Sequence, residues 1–333
     1  MTSPPQRFSL LSEQILTIET ERGRTHSTLP ELLSALLTEA FPTLAFPHVT
    51  AVQRGHWWRF LVRTAAHVLH RRGQESPTPL APDEIHKMLE ESTGGEDAWC
   101  LVNPNFARPA FLQPSTPGGG HPEEAYKREP ISYLSSALGS KNHERKVNAT
   151  PALTPEQVVY SLIELQGGAI FGGRSNYQTQ FTASRSGKGS GVPFMAVLLP
   201  DGWGPTFRHD VRVLLEAWGA LERVKGLQGR VWAVWVEPWN AQTPLPATRL
   251  TPAFIPLARM VRLPPPDGDG SFRAVYHLPA KANRVDDHTD GADLGDPFLP
   301  LIRHGDGWKV RGVIAHNPAR PAYDYRETVS FFT

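Results

Sequence analysis

The chain has 333 residues, with 34 lysines and arginines against 33 aspartates and glutamates, so its formal net charge is only +1. With 40% hydrophobic residues and nine tryptophans it reads as a folded globular protein, long enough for one large domain or two, and not as a disordered chain. So small a charge excess excludes strong autonomous binding to nucleic acid, and the single cysteine, Cys100, excludes an internal disulfide and a cysteine-rich zinc site. The opening Met-Thr-Ser-Pro-Pro-Gln-Arg lacks the apolar run of a secretory signal, and no stretch approaches a membrane span. A cytoplasmic protein is expected.

Residues 8–20 read as a short strand or hairpin that turns at Gly23. A helix over 28–37 is expected, capped by Thr28 with Pro30 in its first turn. Residues 57–70 read as an amphipathic helix with Trp58, Leu61, Ala65 and Leu69 along one stripe. Another helix is expected over 82–91, with Asp83 and Glu84 at its positive end. After Phe111-Leu-Gln-Pro, residues 131–138 read as a short helix. Thr154 and Gln157 have capping-box spacing at the head of a helix over 154–166. Strands are expected over 192–199, 231–236, 271–278 and 308–314, with a helix over 206–222 between the first two. Helices dominate early and strands late, which predicts an α+β fold. The chain is expected to be a single domain over 1–333, with a subdivision at residue 200 as the alternative.

The helix over 154–166 runs directly into the most informative segment. Between Glu164 and Asp201 there is no acidic residue. Residues 167–191 are rich in glycine and in uncharged hydrogen-bonding side chains such as Ser175 and Asn176. Their only charges are Arg174, Arg185 and Lys188. Glycine lets backbone approach a ligand closely and offers bare N–H groups to anions. Arginine and lysine neutralise phosphates, while serine and asparagine bond to phosphate oxygens or base edges. The same composition suits a plain surface loop, but the absence of acid over so many polar positions favours contact with a nucleic-acid backbone.

Catalytic patterns are missing. No Gly-x-x-x-x-Gly-Lys-Ser/Thr loop occurs. Asp286-Asp-His-Thr-Asp-Gly-Ala-Asp is the one dense candidate for a metal site, yet it has neither calcium-loop nor zinc-site spacing, and a solvated acidic loop is the expectation there. His316-Asn317 has no companion nuclease elements. His67 and His70 flank the apolar stripe of their helix and read as partly buried or surface histidines, not ligands. Cys100, between Trp99 and Leu101, reads as an inert core thiol. No metal, cofactor or catalytic residue is expected.

The order of several motifs resembles the CasA family, the large subunit of type I-E Cascade. Phe111-Leu-Gln is similar to that family's Phe-Met/Leu-Gln signature, and the residues from Gly139 to Asn148 to its Asn-His-like loop. An apolar-Gln step then leads to Ile170-Phe-Gly-Gly-Arg174, which resembles the family's glycine loop. Residues 187–199 resemble its Gly-Gly-x-Pro-x-Thr region, and 229–238 its Trp-Gln-Pro strand. The N-terminal Phe8-Ser-Leu-Leu resembles its opening strand. The resemblance covers residues 8–240 and fades beyond about 260. Members carry a cysteine cluster and a C-terminal helical bundle that are not seen here, so the likeness is to a shortened or divergent member.

The resemblance implies a non-catalytic subunit of an RNA-guided complex that checks the protospacer-adjacent motif in duplex DNA from the minor groove and helps open the duplex. Carried over residue by residue, it implies DNA contact at Gly172, Gly173, Arg174, Ser175, Asn176, Arg185 and Lys188. It also implies contact with the guide end or nearby DNA at Lys141 and Asn142, and a weaker match to a groove lysine at Lys281. Arg174 stands where the family has glycine. The implied partners are other Cascade subunits, the guide crRNA, double-stranded target DNA and a nuclease recruited to or fused within the complex. Two alternatives stay open at this stage: a metal-dependent nuclease using Asp286, Asp287 and His288, and a protein-interaction scaffold that never touches DNA.

Overall fold

The computed structural model describes residues 6–134, 152–168, 200–240, 242–278, 284–286, 301–304 and 307–310. The chain begins with a hairpin in which Leu16–Thr20 (β1) and Gly23–Ser27 (β2) pair antiparallel, Thr20 opposite Gly23. Leu44–Ala45 (β3) joins the other side of β1. Residues 8–15 do not extend this strand. The segment instead turns at Leu10 to Ser12, with Ser9 bridged to Cys100.

Helix α1, Leu29–Thr38, starts where its capping box places it: the Glu31 N–H donates to the Thr28 hydroxyl at 3.2 Å, and the Thr28 N–H to the Glu31 carboxylate at 2.7 Å. Helix α2, Ala51–Arg71, is longer than the sequence pattern indicated. Thr50 and Gln53 form a second capping box, at 3.0 and 3.4 Å. The expected single apolar stripe is also corrected. Residues 57–69 are buried on every side, Arg59, Arg63, Thr64 and His67 included, because α2 is the axis of the fold. Helices α5 (Pro155–Gly168) and α6 (Trp203–Lys225) pack on it, as does the strand Leu250–Ile255 (β7). The His67 ring is buried and stacks on Trp232 at 4.2 Å, while His70 is exposed and its ring lies on Trp218 at 3.9 Å.

Helix α3, Pro82–Thr93, ends at Gly94 in the left-handed region. A 3-10 turn, Glu96–Trp99, then brings Cys100 into the interior, where burial raises its thiol pKa to about 11, as an inert core thiol requires. The short helix α4, Pro122–Ala125, precedes strand β4, Lys127–Pro130, and a 3-10 turn, Ile131–Leu134. Helix α5 opens with the expected box of Thr154 and Gln157, at 3.0 and 3.3 Å.

Strands then dominate, and the fold is α+β. Val231–Ala233 (β5) pairs in parallel with β7. The strand expected over 231–236 stops at Ala233 and becomes a 3-10 turn, Val234–Val236. Trp232 and Trp235 are three residues apart, which would put them on opposite faces of a strand. The turn brings both into one aromatic cluster with Trp99 and Phe111, ring centroids 5.7 to 6.0 Å apart. Leu245–Pro246 (β6) pairs with Val285–Asp286 (β10), and Leu301–His304 (β11) with Gly307–Val310 (β12). Asp286 therefore lies in a paired strand, and the rest of the acidic stretch, from Asp287, lies outside the described residues. Among the described residues no group of histidine, cysteine or carboxylate side chains could hold a metal ion. Met260–Arg262 (β8) and β4 flank Ala274–Leu278 (β9) in an antiparallel sheet. One buried cluster includes residues from Phe8 to Val285. Among the described residues no helix is long and apolar enough to cross a membrane.

Helix α6 docks its first turn on the end of α1. The Trp203 and Gly204 N–H groups donate to Phe41 O and Ala40 O at 3.0 and 2.7 Å, and Arg208 donates to Leu36 O and Glu39 O. A β-carbon on Gly204 would lie 1.8 Å from Glu39 O. Gly204→Ala should therefore destabilise the protein by roughly 4 kcal/mol. Gly219→Ala, on the same helix, meets only the end of the Arg223 side chain at 3.2 Å and should be neutral or stabilising by up to about 1 kcal/mol. Urea denaturation midpoints of the two variants check the opposite signs.

Burial, helped by Arg71 and His70, lowers the His67 pKa from 6.5 to about 3. The folded state keeps this ring neutral while the unfolded chain takes up a proton below 6.5. Its contribution is complete above 6.5 and is lost as pH falls toward 3, by at most about 1.4 kcal/mol per pH unit. His67→Phe should flatten that acid-side loss in a series of denaturation curves between those limits, with the high-pH plateau little changed.

Candidate nucleic-acid interface

Helix α5 is the stem of the acid-free segment, and its last turn is anchored by one buried side chain. The Gln166 amide Nε2 donates to Leu112 O and Arg259 O, both at 2.9 Å. Its Oε1 accepts from the Ala258 and Arg259 N–H groups, both at 2.7 Å. Gln113 works in parallel. It donates to Leu101 O and Phe111 O at 2.9 and 3.1 Å and accepts from the Leu263 N–H at 2.7 Å. The strip from Ala258 to Leu263, which contains β8, is thus held at both ends by glutamine amides. Between them the Arg262 guanidinium donates to Arg108 O and Asn103 O, at 3.0 and 3.1 Å, and lies over the Phe106 ring. Gln113 and Gln166 are fully satisfied fasteners of the interior, so neither is available to a ligand.

These fasteners bring three chain exits together. The acid-free segment leaves at Gly168, two residues beyond Gln166. Gln166 holds Arg259, and the next residue, Met260, pairs with Leu278, where the chain leaves β9 toward residue 279. The Tyr133 ring lies 4.6 Å from the ring of His277, the neighbour of Leu278, and one residue later, at Leu134, the chain leaves toward residue 135. The points at which the chain enters segments 135–151, 169–199 and 279–283 therefore share one corner of the molecule.

Arginines line the floor of that corner. Arg59, Arg63 and Arg259 are all buried there, and Arg63 donates to Phe254 O while its guanidinium lies over the Phe254 ring. Arg59 and Arg63 line a small cavity with His56, Gln166 and Gly167. At about 20 Å³ it holds little more than one water. Burial lowers the Arg59 pKa to about 10, so the group stays charged at neutral pH. Burial and then the charge of Arg59 depress His56 to about 4; burial, Arg259 and Lys127 do the same to His277. Burial raises Tyr133 to about 12. Glu164, one turn back on α5, is the buried carboxylate of that helix end.

No family model matches the sequence, and no curated protein matches it. Solved structures do. The Cse1 protein of Acidimicrobium ferrooxidans superposes with a TM-score of 0.58 at 17% identity, over 95% of this chain and 59% of that one. The Thermus thermophilus CasA (Cse1) structure gives 0.57 at 19% identity, over 95% and 60%. A chain of a CRISPR RNA-guided surveillance complex gives 0.58 at 15% identity, over 98% and 64%. The fold is that of Cse1. The chain spans about three fifths of the length of these Cse1 structures.

The Cse1 fold accounts for the order of motifs in the sequence and gives them different parts to play. Phe111-Leu-Gln and the glutamine before the glycine loop are internal fasteners. The ten candidate contact residues all lie outside the described residues: Lys141 and Asn142 in 135–151, Lys281 in 279–283, and Gly172, Gly173, Arg174, Ser175, Asn176, Arg185 and Lys188 in 169–199. Asp287 and His288 lie outside them too. Sequence reading missed Arg59, Arg63, Arg259 and Tyr133, because the polar positions of α2 were assigned to solvent and β8 was not foreseen. The available signal was the cap at Thr50, which starts α2 early enough for a central helix.

Gln166→Leu should leave the Ala258 and Arg259 N–H groups without an acceptor and lower stability by roughly 3 kcal/mol. Hydrogen exchange should locate the loss of protection in 256–263 and at the end of α5. Uniform loss across α1 and α3 instead would show that Gln166 is not the local fastener described.

Proposed function

We propose that this chain is a non-catalytic subunit of a Cascade-type RNA-guided complex, and that it reads the protospacer-adjacent motif of duplex DNA and assists duplex opening. The observation that carries this reading is the shared corner. In a Cse1 fold, the three segments that hold every candidate contact residue start side by side above buried arginines. Gly172 and Gly173 give bare backbone for approach to a minor-groove floor, where readout is degenerate and groove width matters. Arg174 suits a narrow minor groove with enhanced negative potential. Ser175, Asn176, Arg185 and Lys188 supply phosphate or base-edge contacts, Lys281 a groove cation, and Lys141 with Asn142 contact to the guide end. A net charge of +1 means that tight binding needs the other subunits and the crRNA, and that guide pairing supplies most of the sequence specificity.

The reading is tested by purification with co-expressed subunits and crRNA, then binding of the reconstituted complex to a library of motif-bearing duplexes. Gly173→Asp should weaken binding to all targets at least tenfold, while Arg174→Ala should change the ranking among motifs. Lys141→Ala should weaken all targets alike and shallow the salt dependence. Assembly with unchanged affinity and ranking in these variants would remove the segment from the DNA interface. Metal-dependent cleavage by the lone chain, abolished by replacing Asp286, Asp287 and His288 with alanine, would overturn the non-catalytic reading.

A further inference from the structure

A second feature lies at the other described end of the acid-free segment, where the chain re-enters at Pro200 and starts α6 at Trp203. A cavity of about 460 Å³ opens between the starts of α2 and α6. Trp57, Trp58, Phe46 and Trp203 line it, with Arg54 and Thr206. The Phe46 and Trp57 rings meet edge to face at 5.7 Å, and those of Trp58 and Trp203 at 5.5 Å. Phe46 and Trp203 are only half-buried, and Arg54 is exposed.

Three properties select the occupant. The volume is within the range of small-ligand sites, about 300–1,000 Å³, and is far more than one water needs. Among the described lining residues Arg54 is the one charged group, and it is exposed. Two of the aromatic rings, Phe46 and Trp203, are only half-buried and so open to a ligand, whereas Trp57 and Trp58 are buried and the Trp58 indole N–H is taken by Asp210 at 2.8 Å. A flat, anionic ligand answers all three. An aliphatic side chain of a partner protein answers only the aromatic lining.

We propose that this cavity takes one unstacked base of a single-stranded nucleic acid, stacked against Phe46 or Trp203, with its phosphate at Arg54. The strand is either RNA or displaced DNA. The inference shares with the proposed function only the premise that the chain meets nucleic acid, and it does not involve the glycine segment.

The test uses the full chain with short labelled oligo(dT), oligo(U) and abasic strands of equal length. Base-bearing strands should bind roughly tenfold tighter than abasic ones. Trp203→Ala and Phe46→Ala should abolish that advantage, and Arg54→Ala should weaken both kinds of strand. Gly173→Asp should leave it intact, which separates this site from the one above. The preference between oligo(dT) and oligo(U) tells displaced DNA from RNA. Should an aromatic variant fail to fold, photocrosslinking of the natural chain with a 5-iodouracil strand decides, and the adduct should map to Phe46 or Trp203. Equal affinity for base-bearing and abasic strands, or adducts mapping only elsewhere, would overturn the proposal. So would loss of a co-purifying subunit in Phe46→Ala with strand binding unchanged, which would mark a protein dock.

Discussion

The arrangement of the molecule depends on two buried amides. A glutamine side chain in an apolar interior must satisfy donors and an acceptor together, and Gln166 and Gln113 do so by gripping backbone on either side. Between them they determine where the strip from Ala258 to Leu263 runs. That strip contains β8, β8 sets the register of β9, and β9 sets that of β4 and the turn after it. An apolar side chain of equal volume would pack but would leave the strip free to slide. Directional hydrogen bonds give the three exits a single relative placement.

The buried arginines follow a related logic. Arg262 is surrounded by the carbonyls of Asn103, Arg108 and Gln113, and Arg284 by those of Val234, Glu237 and Pro238. Each also lies against an aromatic ring, Phe106 or Trp239. Carbonyl dipoles solvate a guanidinium without cancelling its charge, unlike a carboxylate. A protein with a formal net charge of +1 can therefore hold guanidinium charge in its interior without a paired carboxylate at those two sites.

Much of this was legible where the chemistry is local. The caps at Thr28 and Thr154, the helix from Pro82 and the α+β class follow from residues within one turn of each other or from coarse order along the chain. What escaped reading depends on partners far away in sequence. Lys127–Pro130 has no strand pattern and is extended because β9 pairs with it; Leu250–Ile255 contains a proline and is buried at every position. Arg59 and Arg63 looked solvent-facing because a helix buried all round is indistinguishable by periodicity from an amphipathic one with a few extra polar residues. For the candidate site, sequence supplied composition, the missing acids and the glycines, while the common origin of its three segments required the sheet register.

That common origin bears on how such a surface discriminates between targets. A glycine-rich backbone has little intrinsic shape, so its approach to a groove is set by the stem that delivers it. Here the stem is α5, held at its last turn by Gln166 and packed along its length on the central helix α2. The same segment is received, at Trp203, by a helix whose first turn is bonded to the end of α1. Both described ends are thus tied to the most buried elements of the chain. On the reading proposed above, selectivity among targets rests on this frame and on the glycines, arginines and lysine that the sequence places between its ends. Such a frame suits the proposed degenerate reading of a groove, in which detailed sequence specificity is left to base pairing with a guide.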